Sequence, residues 1–298
     1  MPTLRRFTLL LLLALTACGP KPGPVGTDPV SPTAVSPEAP TANPTITPTP
    51  VPAAALVNGE VISKAEFEAE VTRLKAAQAE LGLEISDEEA ADRALGELID
   101  QTLLAQAAQA EGYNLDEAAL DARIESLAAD MGGAEALSAW MQAQGYTEAG
   151  FRSTLRRALA AAWMRDQIVA EVPPTAEQVH VKQILLYNAE RADNVLAQLQ
   201  AGSDFDELAA LFDPVTRGEL GWFPQGYLLE SGIEEAAFAL EPGQFSDVIV
   251  TGVGFHIIEV VERTERALST DAYLALQEKA LSGWLDRQRQ LSTITLTP

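Results

Sequence analysis

The sequence predicts an α+β protein: an all-α domain interrupted by a module of one antiparallel sheet covered by helices. Three observations predict it. From just after Ile62 to Val172, apolar residues recur at helical spacing with few breakers. From Val179 to Arg263 the pattern changes to short strand-like runs alternating with helices, in the order β-α-α-β-α-β-β. After that module Thr270–Leu291 is helical again, and a lone amphipathic helix must bury its apolar face somewhere. The N-terminal helices are the nearest partner. The module therefore reads as an insert between two parts of one helical domain.

Taken in order, Ala55-Leu56-Val57-Asn58-Gly59-Glu60-Val61-Ile62 reads as a strand pair around an Asn-Gly turn. Four or five helices follow. Ser86 with Glu89 forms a capping box ahead of a helix carrying Leu95, Leu98, Ile99, Leu103 and Leu104. Gly112 closes that helix, and Asn114 is expected to cap the next. Gly132-Gly133 and Gly145 separate two more. Thr147 begins a helix running through Phe151, Leu155, Leu159, Trp163 and Ile168 to Val172, and Pro173-Pro174 stops it. Nothing in this block has a catalytic spacing.

In the module, Val179–Tyr187 is strand-like, and Ala189–Ala201 and Phe205–Phe212 are helical. Gly218–Phe223 is a strand, and Ile233–Leu240 is a helix stopped by Pro242-Gly243. Val248–Thr251 and Phe255–Arg263 are two more strands. The tail after the last helix, Thr293–Thr297, is β-prone and is placed to pair with the strand near Val57.

The first residues bear on location. Arg5 and Arg6 precede a short apolar run, Phe7 to Ala17, which closes in Leu15-Thr16-Ala17-Cys18. The run is shorter than the roughly 18–20 residues that span a bilayer and has the layout of a signal peptide. Its ending fits the lipoprotein pattern, in which Cys18 is lipidated and the peptide is cut just before it. Two acyl chains on Cys18 suffice for stable anchoring. Residues 19–53 hold eleven of the eighteen prolines and no aromatic residue, so they form an extended linker rather than a core. The expected boundaries are a signal peptide over 1–17, lipidated cysteine and Pro/Thr-rich linker over 18–53, and a helical domain over 54–174. The mixed module takes 177–265, and the returning helix and tail 266–298.

Composition removes several classes of function. Cys18 is the only cysteine, so the mature chain has no internal disulfide, thiol nucleophile or thiolate metal site. Two histidines exclude a His-rich metal centre. A net charge of −23 argues against nucleic acid and against an electrostatic grip on anionic lipid. No cofactor and no metal are expected.

Four ordered blocks in the module carry a resemblance: Gly218-Glu219-Leu220-Gly221-Trp222-Phe223, Glu234-Glu235-Ala236-Ala237-Phe238-Ala239-Leu240, Pro242-Gly243-Gln244-Phe245-Ser246 and Gly254-Phe255-His256-Ile257-Ile258. Together they resemble a parvulin-type (PpiC, or rotamase) peptidyl-prolyl isomerase over roughly 177–265. Val57-Asn58-Gly59-Glu60-Val61-Ile62-Ser63 and the helices behind it are similar, more loosely, to the chaperone region of SurA/PrsA-type foldases. In that group, too, a terminal helix returns to the first domain.

The resemblance implies a non-covalent isomerase. The X–Pro bond turns over a barrier near 20 kcal/mol because the amide must lose its resonance. A pocket lowers that barrier by gripping the proline ring in an apolar wall and stabilising the twisted amide with polar groups. Family wall positions fall on Leu228 or Leu229, Ile233 and Val253, with Phe238 belonging to the core. The terminal pocket histidine falls on His256, and the Cys/Asp position on Asp213. The sequence departs from the family twice. Gln183 stands where a histidine is usual in the first strand, and His180, three residues earlier, belongs on the opposite face. The stretch Asp213–Arg217 is also several residues shorter than usual. No Lys/Arg cluster adjoins the site, which speaks against the phosphate-reading branch. The expectation is an extracytoplasmic, membrane-anchored isomerase acting on unfolded or proline-containing exported polypeptides. The alternative is a non-catalytic chaperone whose parvulin module only grips chain.

Overall fold

The computed structural model describes residues 52–297. The expected signal segment 1–17, Cys18 and the expected linker as far as residue 51 lie outside the described residues. Strands β1 (Ala53–Val57) and β2 (Glu60–Ser63) form a hairpin. Its turn places Asn58 at φ 52°, the conformation an Asn-Gly pair tolerates. Five helices follow: α1 (Lys64–Glu80), α2 (Asp87–Ala110), α3 (Glu117–Asp130), α4 (Ala134–Ala143) and α5 (Glu148–Ala170).

Short polar side chains start most of them. Ser63 accepts from the Glu66 N–H, Ser86 from Glu89 and Thr147 from Gly150. Two expectations are corrected in detail. Glu89 does not close the capping box; its carboxylate turns to Arg93, one helical turn on, at 2.9 Å. Helix α3 is capped by Asp116 rather than Asn114, with Asp116 Oδ1 accepting the Ala119 N–H at 2.7 Å. The reason is a hydrophobic staple: Leu115, just before the cap, packs into the cluster that holds Leu120, four residues into the helix.

The inserted module runs β3 (Thr175–Leu186), α6 (Ala189–Gln200), α7 (Phe205–Phe212), β4 (Glu219–Pro224), α8 (Ser231–Ala239), β5 (Ile249–Val250) and β6 (Phe255–Ala267). The chain ends with α9 (Thr270–Leu291) and β7 (Ile294–Leu296). The module's sheet has the order β4-β3-β6-β5 with every pair antiparallel. Strands β3 and β6 pair from Thr175↔Ala267 to Leu186↔Phe255, longer than the sequence predicts, so the entry and exit of the insert lie side by side.

Both faces of this sheet are buried, and the period-two alternation divides them cleanly. Ile184, Leu186 and Ile257 pack with Val195, Leu199 and Phe205 under α6 and α7. Val179, Val181, Ile258 and Val260 pack with Phe223, Ile233 and Ala237 under α8. Full burial of such side chains contributes about 1.5–3 kcal/mol each.

The terminal helix returns to the helical half. Leu281, Trp284 and Leu285 of α9 pack on the cluster formed by Leu104 and Ala108 of α2 with Ala160, Ala161, Met164 and Ile168 of α5. Arg289 fastens it further, with Nε 2.7 Å from Asp100 Oδ1. Strand β7 pairs with β1 in the register Val57↔Ile294, giving a sheet of order β2-β1-β7. Its buried side chains Ala55, Val57 and Ile62 sit on Leu98, Ile99 and Leu103. Among the described residues no helix is long and apolar enough to cross a membrane.

Candidate active site

His256 lies at the start of β6, paired with Leu185 of β3 on one side and Ile249 of β5 on the other. Alternation puts its side chain on the α8 face with Ile258, and Gln183 of β3 shares that face because it pairs with Ile258. The imidazole is buried, only 3% exposed, and both its nitrogens are occupied. Nδ1 lies 3.0 Å from Gln183 Oε1 and Nε2 lies 2.9 Å from Thr251 Oγ1. Burial holds the imidazole below the usual histidine range, and the Glu230 carboxylate opposes that shift.

Thr251 is itself placed by the β5–β6 turn. Its N–H donates to Gly254 O at 2.8 Å, and its hydroxyl accepts the Val253 N–H at 3.2 Å. Residue 254 has to be glycine. A Cβ there would stand 2.6 Å from the carbonyl oxygen of Leu186. Gly218 plays the matching part at the other end of Gln183. Its carbonyl accepts the Gln183 N–H at 2.7 Å, and a Cβ would meet the Gln183 carbonyl oxygen at 2.1 Å. With φ at 75°, the position suits glycine on conformation as well.

The apolar members divide. Ile233 is 5% exposed within the α8-face cluster, and Leu228 is half-buried against the same cluster. Leu229, the alternative to Leu228, stands fully in solvent, and Val253 is exposed at the tip of the β5–β6 turn. Phe238 packs edge-on against Phe223 in the core, 6.3 Å between centroids. The structure thus brings Gln183, His256, Leu228 and Ile233 to one face of the sheet.

Asp213 makes hydrogen bonds of its own. It ends α7, and its carboxylate accepts the N–H groups of Val215 at 3.1 Å and Thr216 at 3.0 Å together with the Thr216 hydroxyl. These donors, the Thr216 hydroxyl first, hold its carboxyl below the ordinary aspartate range. The short Asp213–Arg217 stretch therefore closes on itself, and Asp213 is not among the hydrogen-bond partners of His256. The carboxylate that His256 senses is Glu230, at the cap of α8.

His180 faces away, as strand alternation requires. It stacks on Trp222 at 5.2 Å, and its Nε2 lies 2.5 Å from Glu219. The sheet does contain bulges beside it, but the extra residues are Leu220 in β4 and Val261 in β6. Alternation along β3 is unbroken, so His180 stays on the α7 side.

Sequence reasoning missed three participants: Thr251, Glu230 and Glu234. Glu234 accepts the backbone N–H groups of Gly226 at 2.7 Å, Tyr227 at 2.9 Å and Leu228 at 3.0 Å, which fixes the loop carrying Leu228. A glutamate eight residues after a glycine turn carries no distinctive signal in sequence. Thr251 had one: a hydroxyl at a strand end, five residues before the histidine.

This arrangement suits a reaction without covalent or redox steps. An imidazole with both nitrogens occupied is poorly placed to act as a nucleophile, and an apolar wall with a small polar network suits a neutral amide. Among the described residues no group of three His, Cys, Asp or Glu side chains is placed to hold a metal.

Comparison with known proteins places two domains on the chain. Residues 42–165 match the SurA-like N-terminal domain, and residues 172–262 match the PPIC-type PPIASE domain. The foldase protein PrsA of Halalkalibacterium halodurans is 37% identical over 107 residues, covering 34% of this chain and 30% of that one. The chaperone SurA of Thiobacillus denitrificans is 25% identical over 251 residues, covering 70% of this chain and 56% of that one. The matches thus span between about a third and just over half of these relatives. A crystal structure of the peptidylprolyl isomerase PrsA from Bacillus cereus aligns over 79% of this chain and 84% of that one, with 21% identity and a TM-score of 0.43.

Proposed function

The chain is a parvulin-type relative of the SurA and PrsA foldases, and from that premise we propose that it is an extracytoplasmic foldase that isomerises X–Pro bonds in exported polypeptides. The observation that supports this most is His256, buried and held between Gln183 and Thr251 on the sheet face that also carries Leu228 and Ile233. On this reading the proline ring rests on Leu228 and Ile233, with exposed Leu229 and Val253 contacting flanking residues of the client. As the prolyl amide twists, its carbonyl and nitrogen lose conjugation, and the Gln183–His256–Thr251 network supplies fixed dipoles beside them. Asp213 contributes by shaping the loop beside Gln183. The helical domain holds the unfolded client, and Cys18, once lipidated, tethers the chain to a membrane.

The replacement of the usual first-strand histidine by Gln183 favours a second reading, in which the module grips chain without turnover. Isomerisation of a proline tetrapeptide at micromolar full-length chain separates the two. The enzymatic reading expects a rate above the thermal background, falling by about tenfold or more in His256→Ala, with the far-UV circular dichroism unchanged. No rate above background, with suppression of client aggregation intact, would establish the chaperone reading instead.

A further inference from the structure

We propose that Gln183 is a positioning residue which locks His256 as a neutral imidazole protonated on Nδ1, so that the isomerase pocket keeps one tautomer at neutral pH. The inference rests on the enzymatic reading above for its meaning in catalysis, but the geometry that carries it is independent of turnover.

The proton count runs from Thr251. Its oxygen already accepts the Val253 N–H, and its single hydroxyl proton has two acceptors in range. His256 Nε2 at 2.9 Å is the nearer, against Gly254 O at 3.4 Å. Donation to Nε2 makes that nitrogen the acceptor, which puts the ring proton on Nδ1. The partner of Nδ1 must then accept, and Gln183 Oε1 does so at 3.0 Å. An amide oxygen cannot titrate. A histidine at the same position would bring a second ring near its own pKa, so the proton pattern of the pair would change through the physiological range.

The groups facing His256 leave little else to disturb this state. Its strand neighbours Leu185 and Ile249 are apolar, as is Ile258 on its own strand. From the α8 side Glu230 is the one charged group acting on it, and the Glu234 carboxylate is taken up by three backbone N–H groups. Desolvation outweighs Glu230, so the balance shifts toward the neutral ring.

The test combines nitrogen NMR with kinetics on the full chain. The protein has two histidines, so a His180→Gln variant assigns the signals of His256. The expected spectrum shows a protonated Nδ1 and an unprotonated Nε2 that stay so between pH of about 7 and about 8. Over that range kcat/KM on a proline tetrapeptide should change by less than about twofold. Gln183→Glu places a carboxylate on Nδ1 and should raise the ring's titration to or above the ordinary histidine value of about 6.5. Its kcat/KM should then become pH-dependent with the same inflection. Gln183→Leu should give exchange-averaged nitrogen signals from both tautomers. An Nε2-protonated ring, or one titrating near 6.5 in the wild-type chain, would overturn the inference. Absence of turnover at every pH would instead defeat the enzymatic reading, and the spectrum would still decide the tautomer.

Discussion

His256 is a buried base, and its effect on stability has a definite sign. Its folded pKa lies below the unfolded value, so protonation favours the unfolded chain. The contribution is complete above the unfolded value, near 6.5, and is lost progressively as pH falls from there toward the folded pKa. Urea midpoints measured at pH of about 7.5 and about 5.5 should show a drop in the wild-type chain that is smaller in His256→Gln. Equal drops in the two would show that the ring is not desolvated. At this scale the sequence was informative where a residue's role follows from strand alternation. Gln183, His180 and His256 lie on the faces that strand alternation predicts, because β3 and β6 keep a strict period of two where those residues sit. Thr251, Glu230 and Glu234 were not legible, because their roles depend on where a turn and a loop bring backbone and side chain together. Asp213 shows the converse. Its position along the chain was read, but its oxygens are committed to Val215 and Thr216, a choice made by a loop of unusual length.

Elements in the helical half are legible by periodicity, while their ends depend on packing. Asn114 has the right chemistry for a cap, yet the staple between Leu115 and Leu120 moves the start of α3 to Asp116. Helix α9 and strand β7 were predicted to return to the first helices, and the reason is visible in the burial of the sheet they join. Ala55, Val57 and Ile62 are fully buried only because β7 flanks β1 and α2 lies beneath. Ending the chain after Ala267 should therefore divide the molecule. The insert draws every strand of its sheet from β3 to β6 and should keep its fold, whereas the helical half loses Leu281, Trp284 and Leu285 from its core. Three fully buried side chains of this kind would contribute roughly 4.5–9 kcal/mol, and even the partial burial seen here is a large share of the stability of a domain. Limited proteolysis of the truncated chain should leave a protected fragment near residues 172–267 and digest residues 64–170. Protection of the helical segment would show that α9 is dispensable.

At the scale of the molecule, charge and tether act together. A chain of net charge −23 is repelled by an anionic bilayer, so residence there falls to the acyl chains proposed on Cys18 rather than to the folded body. Cys18→Ala should move the protein from the membrane fraction to the soluble one while leaving tetrapeptide turnover unchanged. Retention of the variant on membranes would mean that another element anchors it. The pairing of β1 with β7 also bears on the order in which the parts of the chain fold. Thr293 donates to the side chain of Asn58 across 235 positions, with every residue of the isomerase module in between. A polypeptide made from its N-terminus can thus finish the middle module early, while its opening hairpin waits for a partner that many residues further along. The clasp closes only once residues 294–296 have joined β1, so a copy cut short before them by arrested synthesis or by a protease leaves its helical half unlatched and open to degradation.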